Sequence, residues 1–223
     1  MTIKENIDEI LEDIKKYSPY PERVKLVAVT KYMDTDKIEE VIKLGQNSLG
    51  ENKAQLIREK INYFKDKNID VEWHFIGNLQ KNKIKYIIND VSLIHSVNKI
   101  SLAQEIDKKA SQINRIVDVL LEVNIHGEES KQGYSFEELL FDLKELKALK
   151  NINIKGLMTM APLNVSSEIT RKVFSHLVEL KNILNKEHFG GKLTELSMGM
   201  SGDYRIALEE GSTIIRIGSN LLK

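Results

Sequence analysis

Short apolar runs alternate along the chain with longer stretches whose apolar residues recur three and four positions apart. The runs are Val24–Thr30, Ser48–Gly50, Val71–Ile76, Val91–Val97, Ile116–Val123, Ile154–Met160, Leu193–Met198 and Thr213–Ile217. Several are rich in β-branched residues and almost continuously apolar, as strands covered on both faces should be; Ser48–Gly50 is the weakest. The intervening stretches read as amphipathic helices. Ile38, Val41 and Ile42 form a stripe that stops at Gly45. Phe136–Leu149 is the clearest helix, and Val173, Leu177, Leu180 and Leu184 mark the longest.

Strand–helix alternation without a change of composition predicts parallel βαβ units joined by right-handed crossovers. Eight such strands in one domain of this length predict an α/β fold, a single (β/α)8 TIM barrel over residues 1–223. An open doubly wound sheet is the alternative. It would be favoured by a glycine-rich dinucleotide turn after an early strand, and none is present. After the last strand only Asn220–Lys223 remains, too short for an outer helix, so a helix at about residues 3–17 is expected to close the ring. Pro19, Pro21 and Pro162 all fall in expected loops.

Composition narrows the classes. The 33 Lys and Arg balance 33 Asp and Glu, so net charge gives no general grip on nucleic acid or anionic membrane. The absence of cysteine excludes a disulfide scaffold, a thiolate nucleophile and Cys–zinc sites, and fits a reducing compartment. Residues 1–10 alternate charge with isoleucine and hold no signal core, and no apolar stretch is long enough to span a bilayer. The expectation is a soluble cytoplasmic protein.

Candidate chemistry sits at the carboxyl ends of strands. Lys31 follows the first strand, and alternation places Val27, Val29 and Lys31 on one face. If that face is the barrel interior, partial desolvation favours the neutral amine that condenses with a carbonyl; otherwise Lys31 is a structural lysine. Leu196–Asp203 leaves the seventh strand and opens a short helix over Asp203–Glu210, while Arg216-Ile-Gly-Ser219 leaves the eighth. Loops after these two strands are the usual phosphate site of such a barrel. An amine facing a phosphate cradle is what a pyridoxal phosphate site requires, and a lysine Schiff-base aldolase on a phosphorylated sugar would use the same pair. Trp73–Lys83 spans the end of the third strand. His74, His95, His126, His176 and His188 show no metal-ligand spacing, and a lone strand histidine such as His74 is more often core than catalyst. Lys81, Lys83 and Lys85 read as solvated charge rather than an RNA contact. Gly50-Glu-Asn-Lys53 and Gly127–Gly133 are compatible with polar contacts to a ligand.

Taken in order, Leu26–Lys31, Gly50-Glu-Asn52, Trp73–Lys83, Gly156-Leu-Met158, Leu196–Ser201 and Gly211–Gly218 resemble the pyridoxal phosphate homeostasis protein family, relatives of the alanine racemase barrel domain. The resemblance covers nearly the whole chain. It implies that Lys31 forms the internal aldimine, that Ser197, Gly218 and Ser219 contact the phosphate, and that Arg216 faces the pyridine nitrogen. Asn52, His74 and Met200 would line the pocket. Two departures stand out: Gly202 where the family has an acidic residue, expected to loosen the next helix, and Ser219 where threonine is commoner. Lys131 reads as surface charge, with a second amine for cofactor transfer as its alternative.

The same resemblance separates carrier from enzyme. Carbanion chemistry on this cofactor benefits from a protonated pyridine nitrogen. An arginine there keeps its own proton and donates, which leaves the nitrogen unprotonated and the electron sink weak. Racemases of this barrel type add a second base from a further domain and partner subunit, and this sequence ends at Lys223. The expected function is therefore non-catalytic pyridoxal 5'-phosphate binding in vitamin B6 homeostasis, indirectly supporting amino-acid and keto-acid balance. A weak one-base racemase is the alternative, with the aldolase behind it. Apo-enzymes that depend on the cofactor are the expected recipients, and a monomer is the expected state.

Overall fold

The computed structural model describes residues 2–127 and 132–222. Eight strands run parallel in chain order and close into a barrel. They are β1 (Lys25–Val29), β2 (Ser48–Glu51), β3 (Glu72–Phe75), β4 (Val91–Val97), β5 (Val117–Glu122), β6 (Ile152–Met158), β7 (Glu195–Met200) and β8 (Ile214–Ile217). Closure is direct: β8 pairs with β1 through Val27 opposite Arg216 and Ala28 opposite Ile217. That pairing confirms the barrel and removes the open-sheet alternative.

The outer ring comprises α1 (Ile3–Tyr17), α2 (Thr35–Lys43), α3 (Ala54–Asp66), α4 (Ile100–Gln112), α5 (Phe136–Ala148), α6 (Ser167–Leu184) and α7 (Tyr204–Glu209). A 3-10 turn, Lys81–Tyr86, stands between β3 and β4. Helix α1 begins with a capping box between Thr2 and Glu5. It leans on the C-terminal region, where Asn6 Nδ2 donates to Leu221 O at 3.2 Å and Arg205 Nε donates to Asp13 at 2.6 Å. No helix among the described residues is long and apolar enough to cross a membrane.

Side-chain alternation divides the strands between two cores. Outward residues such as Leu49, Trp73, Phe75, Val119, Leu157 and Ile215 are buried beneath the helices, against Ile57, Ile61, Phe64, Leu139, Phe174 and others. Each fully buried side chain of this kind contributes about 1.5–3 kcal/mol relative to exposure. Inside the barrel the apolar cluster is small: Val27, Leu93, Leu120, Met158 and Ile214. Much of the rest of the interior is polar, and that polarity builds the site.

Candidate functional site

Strand β1 ends at Val29, and the chain turns over Thr30–Met33 with Met33 N donating to Thr30 O at 2.9 Å. This turn is braced from the helical side. Thr30 Oγ1 donates to Glu51 Oε1 at 2.7 Å, and Lys60 on α3 donates to Thr30 O at 2.8 Å while pairing with Glu51 at 2.5 Å. Glu51 itself is fully buried. Lys31 rides on the braced turn as an exposed side chain, its ammonium 4.9 Å from the centroid of the Tyr32 ring. The condition for partial desolvation of this amine, an interior face, is not met: the side chain is exposed, and β1 ends two residues before it.

Strand β7 continues to Met200, two residues past its predicted end. Gly199 makes this possible. Its φ is +93°, and a Cβ there would stand 2.6 Å from the Ala207 Cβ, so α7 packs directly on the strand end. Beyond the strand, Ser201 Oγ accepts from Gly218 N at 3.3 Å and from Asn220 N at 3.4 Å. The two N–H groups of the β8 turn thus converge on one oxygen position. Asp203 Oδ1 accepts from Met200 N at 2.6 Å, and burial pushes the Asp203 carboxyl up. Asp203 makes no side-chain cap for α7, which starts only at Tyr204.

Arg216, 4% exposed, lies inside the barrel beneath this turn. Its Nη1 donates to Ser197 Oγ and its Nη2 to Thr159 O at 3.1 Å. Burial draws the guanidinium down to about 10, opposed by Asp203 and Glu122, so it remains a cation at neutral pH. Ser197 is also bonded to His95 Nδ1 at 2.8 Å, and His95 Nε2 to His74 Nδ1 at 2.9 Å. His74 Nε2 faces Glu72 Oε1 at 3.5 Å, an electrostatic contact rather than a closed hydrogen bond. Glu72 also takes Lys25 and Ser48 at the amino-terminal end of the barrel. His74, then Lys25 and Ser48, hold its carboxyl well below the usual carboxylate range.

The remaining rim residues surround a cavity of about 330 Å³ lined by Ile76, Glu122, Met160, Leu163 and Met200 among others. Glu122 is 5% exposed, and burial pushes its carboxyl up despite the nearby Arg216. Asn52, half-buried, follows β2, and Gly77 packs on it so closely that a Cβ there would meet Asn52 O at 2.1 Å.

Sequence reasoning and geometry agree in part. Lys31, Asn52, Met200, Gly218 and Ser219 stand at the carboxyl-terminal rim, with Arg216 just beneath. Ser197 and His74 do not reach it. Ser197 has no exposed surface and its hydroxyl lies between Arg216 and His95, which leaves nothing for a phosphate. His74, 1% exposed, packs in the barrel core against His95 instead of lining the cavity. Lys131 lies outside the described residues. Ser201, His95 and Glu122 were missed. Ser201 had a signal, the second serine of Ser197–Ser201, whereas His95 had none before the strands were paired.

Comparison with known proteins places this geometry. The family described as the alanine racemase N-terminal domain matches residues 3–223. The pyridoxal phosphate homeostasis protein of Aquifex aeolicus is 40% identical, over 99% of this chain and 97% of its own length. PipY of Synechococcus elongatus, solved with PLP bound, superimposes with a TM-score of 0.90 at 32% identity, covering all of both chains. An alanine racemase of Clostridium difficile shares the fold alone, with a TM-score of 0.75 at 17% identity over 97% of this chain and 59% of its own. Chain-long identity and a common barrel make this chain a member of the pyridoxal phosphate homeostasis protein family, built on the alanine racemase N-terminal domain.

Proposed function

We propose that the chain binds pyridoxal 5'-phosphate at the carboxyl-terminal rim and serves vitamin B6 homeostasis as a holder rather than an enzyme. The single observation that carries this reading is the β1–β8 closure. It sets the strand that leads into Lys31 beside the strand that leads into the Gly218–Ser219 turn, with a buried cation, Arg216, in the register row of Val27. When bound, the cofactor supplies an aldehyde that an amine can capture reversibly. Lys31 is the amine, and its exposure suits exchange with incoming amines.

The residues present fit the group. Gly218 N and Asn220 N already converge on an oxygen, that of Ser201, at 3.3 and 3.4 Å. These bonds are longer than good N–H···O bonds, so an anionic oxygen is the better acceptor. Ser201 and Ser219 add hydroxyl donors, and Ser201 replaces Ser197 in the phosphate assignment. Arg216 keeps its proton and would donate to the pyridine nitrogen, which would oppose carbanion chemistry. Asn52 and Met200 would border the ring. The names of the homeostasis relatives and the PLP-bound state of PipY support the same reading.

Purified protein is expected to take up added pyridoxal phosphate with a visible absorption band that Lys31→Ala abolishes. Failure to take up the cofactor would sink the proposal. Isotope exchange at the α-carbon of amino acids at enzymatic rates would overturn the non-catalytic part in favour of a one-base racemase.

A further inference from the structure

The polar interior of the barrel forms one row, hydrogen-bonded from Arg216 to His74 and closed on the opposite face by the electrostatic contact of His74 with Glu72. Its members come from four strands: Arg216 on β8, Ser197 on β7, His95 on β4, and His74 and Glu72 on β3. Four of the five are almost wholly buried, at 4%, 0%, 0% and 1% exposed. Glu72 opens β3 at the amino-terminal end of the barrel, beside Lys25 and Ser48, which open β1 and β2.

Proton counting gives the row a direction. An arginine only donates, so Ser197 Oγ accepts from Arg216. The serine proton then has one bonded acceptor among the described residues, His95 Nδ1. His95 is therefore protonated on Nε2 and donates to His74 Nδ1. His74 is protonated on Nε2 in turn and directs that N–H at Glu72. The reverse assignment strands the serine proton in the core and turns a nitrogen lone pair toward a carboxylate. Both faults are costly without water. A cationic His95 would donate from both nitrogens, leaving the Ser197 proton without an acceptor, and would face Arg216 and Lys25; burial and those two cations hold it neutral.

We propose that Glu72 is a positioning residue for Arg216: its carboxylate fixes the tautomers of His74 and His95, and through Ser197 the row holds the guanidinium in one orientation. The row runs from cation to anion, so each bond is oriented by the charge at both ends. Asp203 and Glu122 also face Arg216 electrostatically, but neither bonds its guanidinium among the described contacts. A carboxylate on the far face of the barrel thus bears on the group assigned to the pyridine nitrogen. Only that last link rests on the proposed function.

The test uses the full chain, first without cofactor. Nitrogen-15 NMR should show His74 and His95 as neutral Nε2–H tautomers, and resolved, slowly exchanging Arg216 Nη signals. Glu72→Gln can donate as well as accept, so it should mix the tautomers and broaden the Arg216 signals. Lys25→Met, which leaves the carboxylate in place, should change neither. Pyridoxal phosphate titration should then show at least about fivefold weaker binding and a shifted band for Glu72→Gln. Nδ1–H tautomers in the wild type would overturn the row's direction, and that reading stands even if Glu72→Gln fails to fold. Unchanged tautomers and Arg216 signals in Glu72→Gln would overturn the role of Glu72. So would unchanged binding and band in a wild type that does take up cofactor. No uptake by the wild type, with the tautomers as stated, would defeat the proposed function and leave the row standing.

Discussion

Ser197 and Ser201 are four residues apart in one motif, yet the structure gives them opposite duties, and substitution separates them. Ser197→Ala removes a hydroxyl with no exposed surface and leaves two groups without a partner, Arg216 Nη1 and His95 Nδ1. A buried group that loses its hydrogen bond costs about 1–3 kcal/mol, more when charged. Two such groups, with relaxation of Arg216 onto Thr159 O, give about 2–4 kcal/mol of destabilisation. For a chain of this size each kcal/mol lowers Tm by about 2–4 °C, so a fall of about 5–15 °C is expected in cofactor-free protein. Ser201→Ala removes a partly exposed hydroxyl whose two bonds are 3.3 and 3.4 Å long. Its stability should stay within about 0.5 kcal/mol of the parent. Its affinity for pyridoxal phosphate should fall about tenfold, the loss of one charge-assisted hydrogen bond. Thermal unfolding without cofactor and equilibrium titration with it measure the two effects. A Ser197→Ala protein with parental Tm, or a Ser201→Ala protein with parental affinity and lowered Tm, would refute the assignment.

The brace of the Lys31 turn makes a second prediction. Lys60→Met leaves the fully buried Glu51 carboxylate without its cation and should cost about 3–5 kcal/mol in urea unfolding. Lys31→Ala, by contrast, should stay within about 0.5 kcal/mol because the side chain is exposed. Gly199→Ala must place a Cβ at φ +93° and 2.6 Å from Ala207, so it should destabilise by at least about 2 kcal/mol and lower cofactor binding with it. For Glu122 the sign follows from its raised folded-state value: between about pH 4.3 and that value the folded state holds the extra proton. Stability from this group is therefore lost as pH rises through that window. Glu122→Gln should raise stability at pH 7 and have little effect near pH 4, and equal gains at both would contradict the cause.

The barrel was legible because parallel strands covered on both faces leave apolar runs, and Val91–Val97 was read to the residue. Strand ends were less legible, and they decide the site. The Leu193–Met198 reading stopped two residues short, because Gly199 breaks an apolar pattern that the backbone continues. Ser197 then looked like a rim residue. Extending β1 one residue past Val29 had a similar effect on Lys31 and pointed it inward. Strand β2 read weakly because Gly50 faces the interior and Glu51 the helices, where Lys60 makes its burial tolerable.

The interior row was illegible for a different reason. His74 and His95 are 21 residues apart, and Ser197 lies 102 beyond His95. Each has apolar neighbours within its own strand, and read alone it looks like a core residue. Only a closed barrel makes them neighbours, and once closed the row constrains the barrel in return. A one-residue slip of β3 would exchange His74 with Trp73 or Phe75, sending an imidazole into the helix-facing core and a large ring inside. The buried partners of His74 would then be unpaired at about 1–3 kcal/mol each. The aromatic ring would also meet an interior already so close that a Cβ on Gly50 would stand 2.9 Å from Val27 Cγ1. The polar row that orients Arg216 is thus also part of what fixes the register in which the rim is built.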